Sequence, residues 1–249
     1  MGFANGAVTV IRGDLIHDRG AKQRTVFESE EPITGVQFRE GSKLTTLYLS
    51  TTGRILTLVI SGKGQGQPAR VLEETGCGVD CMTVDKRTGD IVVVREDAIY
   101  YYGVNGRGSC YAYEGPKKLV DIYRDYVALV SPPHTGRSDT LRRFGNDAVE
   151  DMFNTTTFTL LDTDLKLVAH SEKLVSQVKS LFIEWGDLFL LTLDGKVYAG
   201  EYVPSGARLT MSPSYIAIGR RRYNRSLRYS INATYMFLPS ASHRSPSWM

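Results

Sequence analysis

Histidines, cysteines, carboxylates and glycine-rich loops are the parts from which a chain builds nucleophiles, metal sites and phosphate cradles. Here they are scattered. The four histidines, His17, His134, His170 and His243, stand in no spacing that would pair two of them on a metal or set one beside a nucleophile. Cys77 and Cys81 form a C-x-x-x-C with no second pair downstream, so no zinc site is expected; Cys81 falls in an apolar segment, where cysteine packs as a small buried residue. The stretch Gly62–Gly66 lacks the Gly-Lys-Ser/Thr ending and the following helix of a phosphate loop, and reads as a link between strands. Arg12-Gly13-Asp14 spells an integrin-recognition tripeptide, and Asn154, Asn224 and Asn232 head Asn-x-Ser/Thr sequons; both need an extracellular chain to matter. No catalytic, cofactor-binding or metal-ligating residue is expected.

Two aromatic groupings are sharper. Arg220, Arg221 and Arg222 with Tyr223, Tyr229 and Tyr235 combine phosphate-binding charge with stacking surfaces, but no nucleic-acid-binding fold accompanies them, so nucleic acid is not expected as a partner. The run Tyr100, Tyr101, Tyr102 lies in a β-rich segment, where alternation sends Tyr101 to one face and its neighbours to the other. Core packing of one set between sheets is the favoured reading, and Tyr100, Tyr101 and Tyr102 together are the candidate interaction surface wherever a member is exposed, since aromatics are enriched at interface cores.

The elements that hold these residues repeat. Short apolar strands open at ITGVQF (33–38), VDCMTV (79–84), LVDIY (119–123) and VKSLFI (178–183), spaced 46, 40 and 59 residues apart (79 − 33, 119 − 79, 178 − 119). A sheet unit recurring near ~40–50 residues is the spacing of β-propeller blades. Turn signals punctuate each unit: Asn5-Gly6, read as a type I′ turn with positive φ at both residues, then Thr52-Gly53, Thr88-Gly89-Asp90, Asn105-Gly106 and Asp194-Gly195. Residues 132–155 read as a polar insertion that stretches the last spacing, and helical periodicity is absent apart from a short turn near 172–177. The expectation is an all-β, incomplete β-propeller of WD-like blades with four antiparallel strands, three complete and two partial, over residues 1–200.

Composition fits a globular chain of 249 residues, 42% hydrophobic, with no run of ~18 apolar residues and no basic-then-apolar signal segment at its start. Three cysteines suit a reducing compartment, so the chain reads as cytosolic. Charge is uneven. Residues 203–249 hold seven arginines and no Lys, Asp or Glu, which leaves 30 − 7 = 23 basic against 27 acidic residues, a net of −4, in 1–202. Residues 201–249 are therefore expected to be an irregular Arg/Ser/Tyr-rich tail; codons for Gly200-Glu201-Tyr202-Val203 can contain a 5′ splice donor, and translation of a retained intron would account for it.

Several strings resemble the N-terminal propeller of the vacuolar protein sorting-associated protein eleven (Pep five) family: Gly6–Gly20, VFESEEPITG (26–35), TGDIVVVREDAIYYYGVNGRGSCYAYEGPKKLV (88–120), LLDTDLKLVAHSE (160–172) and SLFIEWGDLFLLTLDGKVY (180–198). The resemblance, which runs over residues 2–198 and has a fungal cast, implies a core subunit of the HOPS and CORVET complexes, which tether membranes at endosomes and the vacuole or lysosome. It implies other HOPS/CORVET subunits as partners, small GTPases and SNAREs reached only through the complex, and a cytoplasmic protein peripheral on late endosome and vacuole membranes. Members also carry an α-solenoid and a RING-type domain; neither is found after Tyr198, so a ubiquitin-ligase role is not carried over. Against this non-enzymatic scaffold stand a propeller-fold hydrolase, such as a glycosidase or lactonase with acidic or metal-ligating residues converging on the central channel, and an unrelated propeller adaptor.

Overall fold

A computed structural model of the chain describes residues 1–14, 19–41, 44–61, 68–132, 155–184, 186–203 and 208–214. These are β-strands and their connections, with no helix among the described residues. The first two strands, β1 (Ala7–Asp14) and β2 (Arg19–Glu28), form a two-stranded antiparallel sheet, with β2 longer than the short TVFES segment suggests. Four meanders of four strands follow. They comprise β3 (Ile33–Glu40), β4 (Leu44–Thr51), β5 (Ile55–Ser61) and β6 (Arg70–Glu73); then β7 (Met82–Val84), β8 (Ile91–Val94), β9 (Ala98–Gly103) and β10 (Gly106–Ala112). Next come β11 (Leu119–Tyr123), β12 (Tyr126–Ser131), β13 (Thr156–Asp162) and β14 (Val168–Leu174), then β15 (Val178–Glu184), β16 (Asp187–Thr192), β17 (Val197–Val203) and β18 (Arg208–Ser214). The propeller-like all-β architecture is the one expected from the repeat.

Two local expectations differ. The last sheet has four strands, because β17 runs past residue 200 and pairs with β18 inside the stretch expected to be irregular. Pro213 interrupts the apolar signal there, and an outer edge strand tolerates a residue without an N–H. The segment 172–174 is the end of β14 and no helical turn, since its residues pair with β13. The remaining tail and residues 133–154 of the polar insertion lie outside the described residues.

Packing follows the two-residue period of a strand. Along β12, Val127 and Leu129 enter the core shared with β7–β10, while Ala128 and Val130 enter a second core shared with β15–β17. On β4, Tyr48 joins the first of these and Leu47 and Leu49 face a third, shared with β1 and β2. All four residues of β8 are buried, which for each Val or Ile contributes roughly 1.5–3 kcal/mol of hydrophobic stabilisation. The opening strands β3, β7, β11 and β15 touch in succession. Polar side chains stitch that series together: Gln37 donates to the Met82 carbonyl (3.3 Å), Thr83 to the Asp121 carboxyl (3.0 Å), and Lys118 to the Val178 carbonyl (3.3 Å). Burial raises the pKa of Asp121, and the Ile122 amide (2.8 Å) and Thr83 oppose that shift by donating to its carboxylate.

The turns use less left-handed backbone than expected. At the first hairpin only Gly6 has positive φ (+82°); Asn5 instead accepts the Ala7 amide on Oδ1 (3.2 Å), and Gly6 donates to the Phe3 carbonyl (3.0 Å). This is a three-residue hairpin with a glycine bulge, so type I′ is corrected here. Asp194-Gly195 repeats the scheme, with Gly195 at +81° donating to Thr192 O (3.1 Å). Lys196 and Thr192 hold the Asp194 carboxyl well below the usual range. Gly89 and Gly106 also have positive φ, and the carbonyl of Asn105 accepts from Arg70 (3.1 Å). Gly53 does not have positive φ; its amide meets Glu31 Oε2 at 3.2 Å, and a Cβ there would lie 2.8 Å from Glu31 Oε1.

The two hairpin glycines differ in surroundings. A Cβ on Gly195 meets nothing within 4 Å, whereas one on Gly6 would lie 1.8 Å from the Ser29 carbonyl oxygen. Gly195→Ala is therefore expected to cost only the backbone term, about 1–2 kcal/mol. Gly6→Ala costs that plus displacement of the β2–β3 link. Thermal melting should give Gly6→Ala the lower Tm; equal values would contradict the turn geometry.

Candidate functional site

The turn residues serve separate hairpins, so they do not assemble a site. The tyrosines do define a place. Tyr100 and Tyr102 share one face of β9, with ring centroids 6.4 Å apart, and both are buried, at 6% and 0% exposure. Neither offers surface to a partner, and that part of the candidate interaction surface is corrected. The reason is the neighbouring sheet. The Tyr102 hydroxyl accepts from Arg95 Nη2 (2.6 Å) and donates to Glu73 at the end of β6 (3.4 Å), while Glu73 also pairs with Arg107 (3.6 Å). Arg95 and Arg107 lie over the Tyr100 ring at 4.4 and 4.7 Å, and the Tyr100 hydroxyl donates to Asp97. Burial pushes the Tyr102 phenol up to about 12.

Tyr101 points the other way and is half-buried. Its hydroxyl is enclosed yet has no hydrogen-bond partner among the described residues, and burial raises its pKa. The ring forms the floor of a cleft of about 230 Å³ between the β7–β10 sheet and the β13–β14 turn. Asp85, Arg87 and Asp90 line one wall; Asp164 and Lys166 line the other. Arg87 is held by Asp125 (3.7 Å) and Asp85 (4.0 Å), whereas the Lys166 ammonium sits 5.0 Å from the Tyr101 ring centroid. The remaining lining includes Gly103 and, on β10, Gly108 and Ser109.

A second arrangement went unread in the sequence. Lys117 drops its ammonium among the carbonyls of Arg95 (2.6 Å), Glu96 (3.2 Å), Gly115 (2.8 Å) and Tyr113, fastening the β8–β9 turn to the β10–β11 link. Burial lowers its pKa. A lone lysine in a polar stretch carries no sequence mark of such a role; only the facing carbonyls define it.

Cys77 and Cys81 are buried and Cys110 is exposed; burial pushes the Cys81 thiol up to about 12, which keeps it an unreactive thiol. His170 Nε2 lies 3.5 Å from Glu172 Oε2, and the other three histidines, the Gly62–Gly66 stretch, the sequons and Arg220–Arg222 lie outside the described residues. Among the described residues no group of three or more His, Cys, Asp or Glu is placed to hold a metal ion. No described helix is long and apolar enough to cross a membrane.

Comparison with known proteins gives this geometry its context. The profile of the family described as PEP5/VPS11 N-terminal matches residues 1–201. The chain is 30% identical over 215 residues to the vacuolar protein sorting-associated protein 11 homologs of Mus musculus and Homo sapiens, covering 85% of this chain and 22% of each relative. The Arabidopsis thaliana homolog is 27% identical over 195 residues, covering 78% of this chain and 19% of that protein. The chain thus spans about a fifth of the length of the curated relatives it matches. Among solved structures, virginiamycin B lyase from Staphylococcus aureus aligns with a TM-score of 0.53 at 12% identity, over 85% of this chain and 64% of that one. A Bacteroides uniformis protein assigned as a 6-phosphogluconolactonase aligns at 0.54 and 8% identity, over 84% and 65%. At these identities the likeness concerns the fold alone.

The two tyrosine environments make opposite demands on a hydroxyl. Tyr102→Phe strands Arg95 and Glu73 and is expected to cost about 1–3 kcal/mol, while Tyr101→Phe removes an unpartnered group and should leave stability unchanged or slightly raised. Denaturant unfolding of both variants checks this. A larger loss for Tyr101→Phe would contradict the assignment.

Proposed function

The chain belongs to the PEP5/VPS11 family by its N-terminal region, and on that premise we propose that its propeller is a protein-interaction scaffold within a core subunit of the HOPS and CORVET tethering complexes. The role is in endosome-to-vacuole or lysosome transport and membrane fusion. The mechanism is geometric and involves no chemistry by this chain. Sheets buried against one another make a stiff body whose turns and outer strands present fixed surfaces to other subunits. Small GTPases and SNAREs are reached only through the complex, and membrane association is peripheral.

The observation that carries this reading is the coincidence of the family match, residues 1–201, with the successive sheets. What the sheets bring together also supports it: the cleft floor is an aromatic ring flanked by opposed charges, a surface suited to contact more than to bond cleavage. The hydrolase alternative draws only on a likeness in fold.

Affinity-tagged chain expressed in its own cells should enrich other subunits of the vacuolar sorting complexes over an untagged control, read by quantitative mass spectrometry. Absence of that enrichment overturns the reading, and turnover of a lactone or glycoside by the purified chain would favour the hydrolase.

A further inference from the structure

The turn between β13 and β14 carries large apolar side chains into solvent: Leu165 is 70% exposed, Leu167 47% and Val168 46%. None of them belongs to a core formed by the described residues. A single exposed leucine is ordinary on a protein surface, but apolar side chains gathered on one turn mark a place of contact.

The turn does not need them for its shape. The Asp162 carboxylate accepts the amides of Asp164 (2.8 Å) and Leu165 (2.7 Å), the Asp162 carbonyl accepts the Lys166 amide (3.1 Å), and the Asp162 amide donates to the Leu167 carbonyl (2.9 Å). Thr163 ties this turn to the one between β11 and β12, bonding the Asp125 carbonyl through its amide (3.0 Å) and its hydroxyl (2.8 Å). Lys166 is fixed at φ +56°, a conformation unusual outside glycine. Strand β14 then skips a residue against β13, with Leu161 facing Val168 and Leu160 facing His170, and a bulge of this kind on an outer strand re-aims side chains. The leucines are therefore presented on a rigid support, so covering them costs little further ordering on this side.

Charge narrows what can cover them. Arg87 lies between Asp125 (3.7 Å) and Asp85 (4.0 Å), and the Lys166 ammonium is drawn back over the Tyr101 ring, 5.0 Å from its centroid. That leaves the carboxylates of Asp162 and Asp164 bordering Leu165. An anionic lipid surface is repelled by such a border. A protein groove that is apolar inside and basic at its edge matches both the leucines and the carboxylates.

We propose that the β13–β14 turn is a contact point for a partner protein, with Leu165 and Leu167 seated in an apolar groove edged by lysine or arginine side chains that face Asp162 and Asp164. The proposal rests on the reading of the propeller as an interaction module and deepens it by naming the contact and the chemistry of the surface that receives it.

The test compares substitutions in the affinity-tagged full chain expressed in its own cells, with co-purified sorting-complex subunits quantified by mass spectrometry. Leu165→Ser should lower recovery of one identified subunit about tenfold or more, as losing a central anchor residue does, and Asp164→Lys should lower recovery of the same subunit. Leu165→Met should keep it. Val175→Ser, which alters a valine 75% exposed just beyond the far end of β14, should leave it unchanged. Thermal melting of Leu165→Ser should match the parent chain, since Leu165 enters no core. Recovery that survives Leu165→Ser or Asp164→Lys overturns the proposal and leaves the interaction-module reading standing, as does an equal loss with Val175→Ser. Sedimentation with phosphatidylserine vesicles that Leu165→Ser abolishes would assign the turn to a membrane and overturn it too. A parent chain that recovers no such subunit removes the interaction-module reading together with the contact.

Discussion

Burial of each sheet against its neighbours is the constraint on which everything else depends. A β-meander of four strands has two faces, and in the interior sheets both are apolar: β12 sends Val127 and Leu129 one way and Ala128 and Val130 the other. A sheet patterned in this way cannot be stable as a separate unit, because exposing either face would forfeit the hydrophobic stabilisation that offsets the entropy of ordering it. Stability is therefore a nearest-neighbour property, as in other arrays of repeated units. Surfaces available for binding are restricted to turns, links and outer strands.

Polar groups then set how neighbouring sheets register. Thr83 bonding Asp121, Gln37 bonding Met82 O, and Lys118 bonding Val178 O each join consecutive opening strands, so the series is fixed by directional bonds as well as by packing. Lys117 plays the same part within the second four-stranded sheet and its following link. Glu31 does so further back: it accepts from Thr51 Oγ1 and from the Gly53 amide, and the Thr51 hydrogen bond is the largest influence lowering its pKa. Such satisfied networks cost little once formed and give the packed array one geometry.

Much of the architecture was legible in the sequence because it is periodic. Spacings of 46, 40 and 59 residues between ITGVQF, VDCMTV, LVDIY and VKSLFI mark the opening strands, and β3, β7, β11 and β15 fall on them. Alternation correctly separated Tyr101 from Tyr100 and Tyr102. What it could not give was depth: exposure of Tyr100 or Tyr102 depends on the partner sheet, whose Glu73 and whose neighbouring Arg95 and Arg107 are distant or unremarkable in sequence. Strand β18 escaped notice because Pro213 and a Ser-rich, Arg-rich surrounding mask a short run, Arg-Leu-Thr-Met, whose pairing with β17 is decided by the edge it meets. The Asn5-Gly6 pair marks a turn in the sequence, but not its type: Asn5 accepts the Ala7 amide on its own side chain and only Gly6 is left-handed.

Native-state hydrogen exchange on the full chain tests most directly whether stability is shared between neighbouring sheets. Residues 91–94 of β8 and 127–130 of β12 are enclosed on both faces by described neighbours, so their amides should be the slowest in the molecule and should exchange with a common free energy of opening. Slowest exchange in β1 and β2, or a separate opening free energy for each sheet, would contradict the account.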